Sequence, residues 1–170
     1  MKNIILLGFM GTGKSSVGRL LARRTKRQYV DLDSYLEDKE KRKIREIFEK
    51  EGEPYFRTIE KEAVRFWAGA DNHVITTGGG TVLDPENLTL LKSNGILVTL
   101  AAKPETIYER VKNSKRRPLL SAKENLFTEI QALMEKRKPL YQQADYYFDT
   151  DGKSASQVAD LIQKMLVSRT

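Results

Sequence analysis

The chain has 170 residues, 30 Lys and Arg against 23 Asp and Glu, a formal charge of +7 and no cysteine. That length suits one domain, 1–170, burying its own core. The missing thiols exclude a disulfide framework, a zinc–thiolate site and a thiol nucleophile, and point to a reducing, cytoplasmic setting. No apolar run approaches the roughly 20 residues of a membrane span, and no export signal precedes the first strand-like run, so no membrane partner is expected. Basic residues alternate with acidic ones, as in Glu37-Asp38-Lys39-Glu40-Lys41, instead of interleaving with aromatics. This argues against a nucleic-acid platform.

In chain order, residues 3–7 form a β-branched and leucine-rich run that predicts a first strand. A helix follows over 16–24, with Val17, Leu20 and Leu21 on one face. A second strand is predicted over 28–32, then helical spacing at Ile44, Ile47 and Phe48, and a helix over 54–68. Strands over 74–76, 96–100 and 146–149 alternate with helices over 85–93, 104–112, 125–143 and 154–168. Pro85 and Pro104 suit first helical turns, where a missing amide donor costs little, whereas Pro139 should kink or end its helix. The alternation implies an α/β fold with five parallel strands flanked by helices. The stretch 113–125 carries Lys115, Arg116, Arg117 and Lys123 with little periodicity, and reads as a mobile basic lid.

Gly8-Phe9-Met10-Gly11-Thr12-Gly13-Lys14-Ser15 fits G-x-x-x-x-G-K-[ST] between a strand and a helix. Glycines let successive amides turn inward on phosphate oxygens, and the helix N-terminus adds partial positive charge. The ATP-binding candidates are Gly11, Thr12, Gly13, Lys14, Ser15 and Ser16, with Lys14 on the β- and γ-phosphates and Ser15 on Mg²⁺. The motif does not choose among kinases, GTPases and motor ATPases. No Asn/Thr-Lys-x-Asp element for guanine is present, which disfavours a GTPase.

Asp31 and Asp33 close the second strand, and alternation would send both to one side. One carboxylate could orient hydrated Mg²⁺ while the other accepts the acceptor hydroxyl's hydrogen bond. The plainer alternative is a helix cap at Asp33 plus a surface acid. Arg57 and Glu60, three apart, can pair so that the arginine is preorganised for a carboxylate, or form an ordinary surface ion pair. Thr77-Gly78-Gly79-Gly80 would either expose amides to a ligand or make a flexible turn. Phe48 and Phe56, aromatics at helical positions, would by burial preference pack in the core. His73 and Trp67 read as structural.

In this order and spacing, the elements resemble the shikimate kinase family. The matching pieces are Gly8 to Ser15, Asp31-x-Asp33, Gly52-Glu53-x-x-Phe56-Arg57-x-x-Glu60, Ile75-x-Thr77-Gly78-Gly79-Gly80, Arg117-Pro118-Leu119-Leu120 and Arg137-x-Pro139-Leu140-Tyr141. The resemblance implies a three-layer P-loop kinase fold with strand order 2-3-1-4-5, and an acceptor-binding region at about 33–60. It also implies shikimate and ATP as substrates and Mg²⁺ as cofactor, the metal held by Ser15 and, through water, Asp31. Arg57, Arg137, Gly79 and Gly80 would hold the shikimate carboxylate. Asp33 would be the base or orient the hydroxyl, Glu60 would brace Arg57, and Phe48 and Phe56 would line the ring pocket. Arg117 would reach the transferring phosphate from the lid, with Arg116 and Lys112 in an alternative register, and Arg110 would lie against adenine. Lys41 departs from the family, many of whose members have glycine there. A monomer is expected. Another small-molecule or nucleoside monophosphate kinase, and an idle nucleotide-binding module, are the competing readings.

Overall fold

The computed structural model describes residues 1–112 and 125–168. Five strands, β1 (Asn3–Leu7), β2 (Gln28–Asp31), β3 (His73–Thr76), β4 (Gly95–Ala101) and β5 (Tyr146–Asp149), form one parallel sheet in the order β2-β3-β1-β4-β5. Among the described residues, seven α-helices connect or follow them: α1 (Lys14–Thr25), α2 (Leu32–Glu40), α3 (Ile44–Ala68), α4 (Pro85–Ser93), α5 (Pro104–Val111), α6 (Leu126–Tyr141) and α7 (Ala155–Val167). This is the expected three-layer arrangement and strand order.

β1 lies at the centre, registered on β3 through Ile5↔Ile75 and on β4 through Ile5↔Leu97. Its five residues are all buried because helices cover both faces. Ile5, Leu7, Ile75 and Leu97 face one core, with Val64 of α3, Leu88 and Leu91 of α4 and Ile130 of α6. Ile4, Leu6, Val74 and Val98 face the other, with Val17 and Leu21 of α1 and Val158 and Ile162 of α7. Truncating any of the central strand's leucines or isoleucines to alanine would cost about 2–5 kcal/mol. A third, smaller cluster joins Leu36 of α2 to Ile47, Phe56, Ile59 and Ala63 of α3.

Where the sequence reading runs the second strand to residue 32, β2 ends at Asp31 and α2 starts at Leu32. Asp31 has extended dihedrals and its Oδ1 accepts the Ser34 N–H at 3.0 Å, so it is the N-cap of a helix the sequence reading lacks. Asp33 therefore sits in a first helical turn, and the strand-alternation argument for the two carboxylates does not hold. The alternative reading of a helix cap is met by Asp31, two residues ahead of Asp33. α1 begins at Lys14, ahead of the expected start, because Gly13 takes a left-handed conformation (φ 89°) and turns the loop directly into the helix. α3 is interrupted at Gly52 (φ 82°, ψ 171°), which separates the 44–48 and 54–68 segments read from the sequence. α6 passes through Pro139 and stops at Tyr141, two residues beyond the proline.

Candidate active site

The phosphate-binding candidate lies where β1 runs into α1. Lys14 Nζ donates to the Gly8 and Phe9 carbonyls at 2.8 and 3.0 Å, folding the ammonium back across its own loop. Thr12 is 2% exposed and its hydroxyl donates to the Phe9 carbonyl at 2.8 Å, so this side chain braces the loop from within. Arg110, at the end of α5, donates to the Gly11 carbonyl at 2.7 Å, which puts its exposed guanidinium beside the loop. Ser16 is exposed on the first turn of α1.

Ser15 Oγ donates to Asp31 Oδ2 at 2.8 Å. The same carboxylate oxygen accepts Thr76 Oγ1 at 2.9 Å and Tyr29 Oη at 3.3 Å. Burial works against the Asp31 charge, but these donors and the Ser34 amide outweigh it and hold its carboxyl below the usual range. A hydroxyl and an ionised carboxylate at hydrogen-bond distance are hard oxygen donors suited to Mg²⁺, which keeps most of its waters. Among the described residues no group of three or more His, Cys, Asp or Glu forms a metal cage. The fit is thus to a metal held largely by phosphate and water.

Asp33 faces the turn after β3. A Cβ placed on Gly78 would lie 2.7 Å from Asp33 Oδ1 and 3.3 Å from Glu60 Oε1, so only glycine lets both carboxylates approach the chain here. Burial, then the charges of Asp31 and Glu60, push the Asp33 carboxyl up to about 7, against the opposing pull of Lys14. A carboxyl titrating near neutrality can take up a proton at working pH.

Glu60 is 2% exposed and accepts Arg57 Nη1 and Thr81 Oγ1, each at 2.7 Å. Arg57 also donates to Glu53 at 3.0 and 3.2 Å. Burial opposes its charge, yet the two glutamates hold it firmly protonated. Its guanidinium lies over Gly80, where a Cβ would come within 2.5 Å of Nη2. From the other side Arg137 of α6, 2% exposed, brings Nη1 to 3.3 Å from the Cβ position of Gly79 and stacks over the Phe9 ring at 5.7 Å. Arg137 Nε is buried with no hydrogen-bond partner among the described residues. Two guanidiniums thus converge on the Gly79–Gly80 backbone, beside Asp33.

Phe56 is 4% exposed in the small α2–α3 cluster, so it is a core residue, with Phe48 half-buried against it at 4.8 Å between ring centroids. His73 opens β3 with Nδ1 2.6 Å from the Asp71 carbonyl and its ring 5.3 Å from that of Trp67. Arg117, Arg116 and residues 113–124 of the expected lid lie outside the described residues. Sequence reasoning missed Thr76 and Tyr29 on Asp31, and Thr81 on Glu60. Those three contacts span 45, 2 and 21 residues, and no local pattern announces a lone hydroxyl at such a place.

A family model described as Shikimate kinase matches residues 10–167. Shikimate kinase of Pelotomaculum thermopropionicum is 48% identical over 162 residues, covering 95% of this chain and 94% of that protein. Among solved structures, shikimate kinase from Acinetobacter baumannii in complex with shikimate superposes with a TM-score of 0.96 at 37% identity, over 100% of this chain and 95% of that one. Shikimate kinase from Aquifex aeolicus gives 0.86 at 38% identity, over 98% and 97% of the two chains.

Proposed function

The chain belongs to the shikimate kinase family, and from that premise we propose that it transfers the γ-phosphoryl group of ATP to the 3-hydroxyl of shikimate, giving shikimate 3-phosphate and ADP on the route to aromatic amino acids. One observation carries the acceptor assignment: Arg57 and Arg137 converge on Gly79 and Gly80 at the side of Asp33. Two fixed guanidiniums suit a carboxylate, which they can grip through paired donors. A nucleoside monophosphate would need a base pocket in the same place.

The loop amides from Gly11 to Ser16 receive the β- and γ-phosphates, and Lys14 exchanges the Gly8 and Phe9 carbonyls for phosphate oxygens. Ser15 would hold Mg²⁺ directly and Asp31 through water. Bound there, the ion would supply charge neutralisation at the transferring phosphate. Arg57 and Arg137 anchor the shikimate carboxylate, with Glu60 bracing Arg57 and Phe48 offering the ring an apolar edge backed by Phe56. The 3-hydroxyl oxygen bonds to the γ-phosphorus as the bond to the bridging oxygen breaks. The hydroxyl proton passes to Asp33 and the electron pair leaves with ADP. Transfer of this kind is loose and dissociative, so positioning and charge neutralisation carry most of the acceleration. Arg110 beside adenine and Arg117 on the transferring phosphate remain part of the proposal through the family resemblance.

No helix among the described residues is long and apolar enough to cross a membrane. A cytoplasmic monomer completes the proposal. A coupled ADP-release assay with shikimate, run beside a panel of nucleoside monophosphates and other hydroxy acids, tests it. ADP release strictly dependent on shikimate and Mg²⁺ is expected. Equal release with a nucleotide acceptor would sink the assignment.

A further inference from the structure

The last residue of α6 places a hydroxyl on the acceptor glycines. Tyr141 is 7% exposed, and its phenol donates to the Gly79 carbonyl at 2.5 Å across 62 residues of sequence. The carbonyl of Tyr141 in turn accepts Thr99 Oγ1 at 2.7 Å, tying the same helix end to β4. Arg137 precedes it by one helical turn and shares its face. Around the Cβ position of Gly79 lie Arg137 Nη1 at 3.3 Å, Met10 N at 3.6 Å and Tyr141 Oη at 3.8 Å.

A Gly-Gly peptide has the widest conformational freedom of any, and ordering it during binding would cost affinity. A trans peptide unit is planar, with its C=O and N–H antiparallel, and no peptide bond here is cis. Whatever holds the Gly79 carbonyl therefore aims the Gly80 N–H.

We propose that Tyr141 is a positioning residue for the acceptor: its hydroxyl locks the Gly79–Gly80 peptide and sets Arg137 in register with it, so that amide and guanidinium meet the substrate carboxylate already arranged. The proposal rests on the assignment of that carboxylate to Arg57, Arg137 and the two glycines. A phenylalanine would fill the same space yet leave the Gly79 carbonyl without this donor. Burial pushes the Tyr141 phenol up to about 12, so it remains a donor throughout the working range.

The test is steady-state kinetics for both substrates on Tyr141→Phe, Thr99→Val and Arg137→Lys, with thermal unfolding of each. Tyr141→Phe should raise the shikimate KM about 5- to 10-fold, the effect of one lost hydrogen bond. The ATP KM and kcat should stay within about twofold of the parent, as expected when binding of one ligand alone is weakened. Thr99→Val, which frees the helix end without touching Gly79, should leave the shikimate KM unchanged. An unchanged KM in Tyr141→Phe beside a raised KM in Arg137→Lys overturns this proposal and leaves the carboxylate assignment standing. No change in either variant overturns both. Equal shifts in Tyr141→Phe and Thr99→Val, or a Tyr141→Phe protein that loses both affinities or fails to fold, assigns the hydroxyl to the fold and overturns the positioning role.

Discussion

Asp33 and Glu60 approach one glycine from two different helices: Oδ1 of Asp33 lies 2.7 Å and Oε1 of Glu60 3.3 Å from the point where Gly78 would carry a Cβ. Arg57 pairs with Glu60 and Thr81 donates to it, whereas burial and the charges of Asp31 and Glu60 raise the Asp33 carboxyl, with Lys14 pulling the other way. Asp33 is thereby left able to take up a proton near neutrality.

Replacing Asp33 by asparagine keeps the shape and removes the basicity. If the carboxylate is the general base, turnover should fall by roughly 10²- to 10⁴-fold, with nucleotide affinity close to the parent's. Stability should move the other way, with a sign fixed by linkage. The folded carboxyl titrates at about 7 against 3.8 for the free group, so between those values the folded state holds a proton that the unfolded chain has lost. Stability therefore drops as pH rises through that window, and the drop is complete above it. Asp33→Asn should unfold at the parent's temperature near pH 4 and at a higher temperature near pH 8. Coincident melting curves at pH 8 would contradict the raised carboxyl.

Glu60→Gln removes a charge that holds Asp33 up. The acidic limb of kcat/KM for shikimate should shift to lower pH in this variant and vanish in Asp33→Asn. The shikimate KM should also rise, because Arg57 keeps only Glu53 as a carboxylate partner. A profile whose limb stays in place while KM rises would confine Glu60 to bracing Arg57.

Lys14→Ala should abolish phosphoryl transfer while leaving the circular dichroism spectrum unchanged. The side chain donates to the Gly8 and Phe9 carbonyls of its own loop, and no core cluster includes it. Near-normal turnover by a folded variant would refute the phosphate assignment.

Arg57→Ala and Arg137→Ala should each weaken shikimate binding by about 2 to 5 kcal/mol, the loss of a buried charge-assisted contact, and disturb ATP binding far less. The two should differ in stability. Arg57→Ala strips a buried glutamate of its cation, which costs about 3–5 kcal/mol when nothing else compensates, although Thr81 still donates to it. Isothermal titration with each ligand, paired with denaturant unfolding, separates these effects. Equal losses for ATP and shikimate would defeat the division of labour.

The phosphate loop was legible because its chemistry is local: eight consecutive residues carry the turn, the ammonium and the hydroxyl. Strand order came from family resemblance, since alternation of strands and helices alone does not order a sheet. The stretch after β2 was misread because Asp31, Leu32 and Asp33 satisfy a strand's alternation equally well. What decides the matter is the bond from the Ser34 amide to Asp31, a helix cap that a two-residue period does not reveal. Tyr141 stood in a recognised motif with no role attached, because its partner Gly79 lies 62 residues away. The pocket assignment of Phe56 met the usual ambiguity of an aromatic at helical spacing, and its 4% exposure places it in the core.

Arg137 and Tyr141 reach the Gly79 backbone from the final third of the chain, while Lys14 and Asp31 come from its beginning. During synthesis the nucleotide loop leaves the ribosome long before the helix that completes the acceptor side. The phosphate loop needs β3, β4 and α5 around it, all of them upstream of α6, and catalytic competence waits for α6 to dock. Truncation anywhere upstream of Tyr141 should accordingly give a protein that at most handles nucleotide. Turnover of the acceptor therefore reports that α6 has docked.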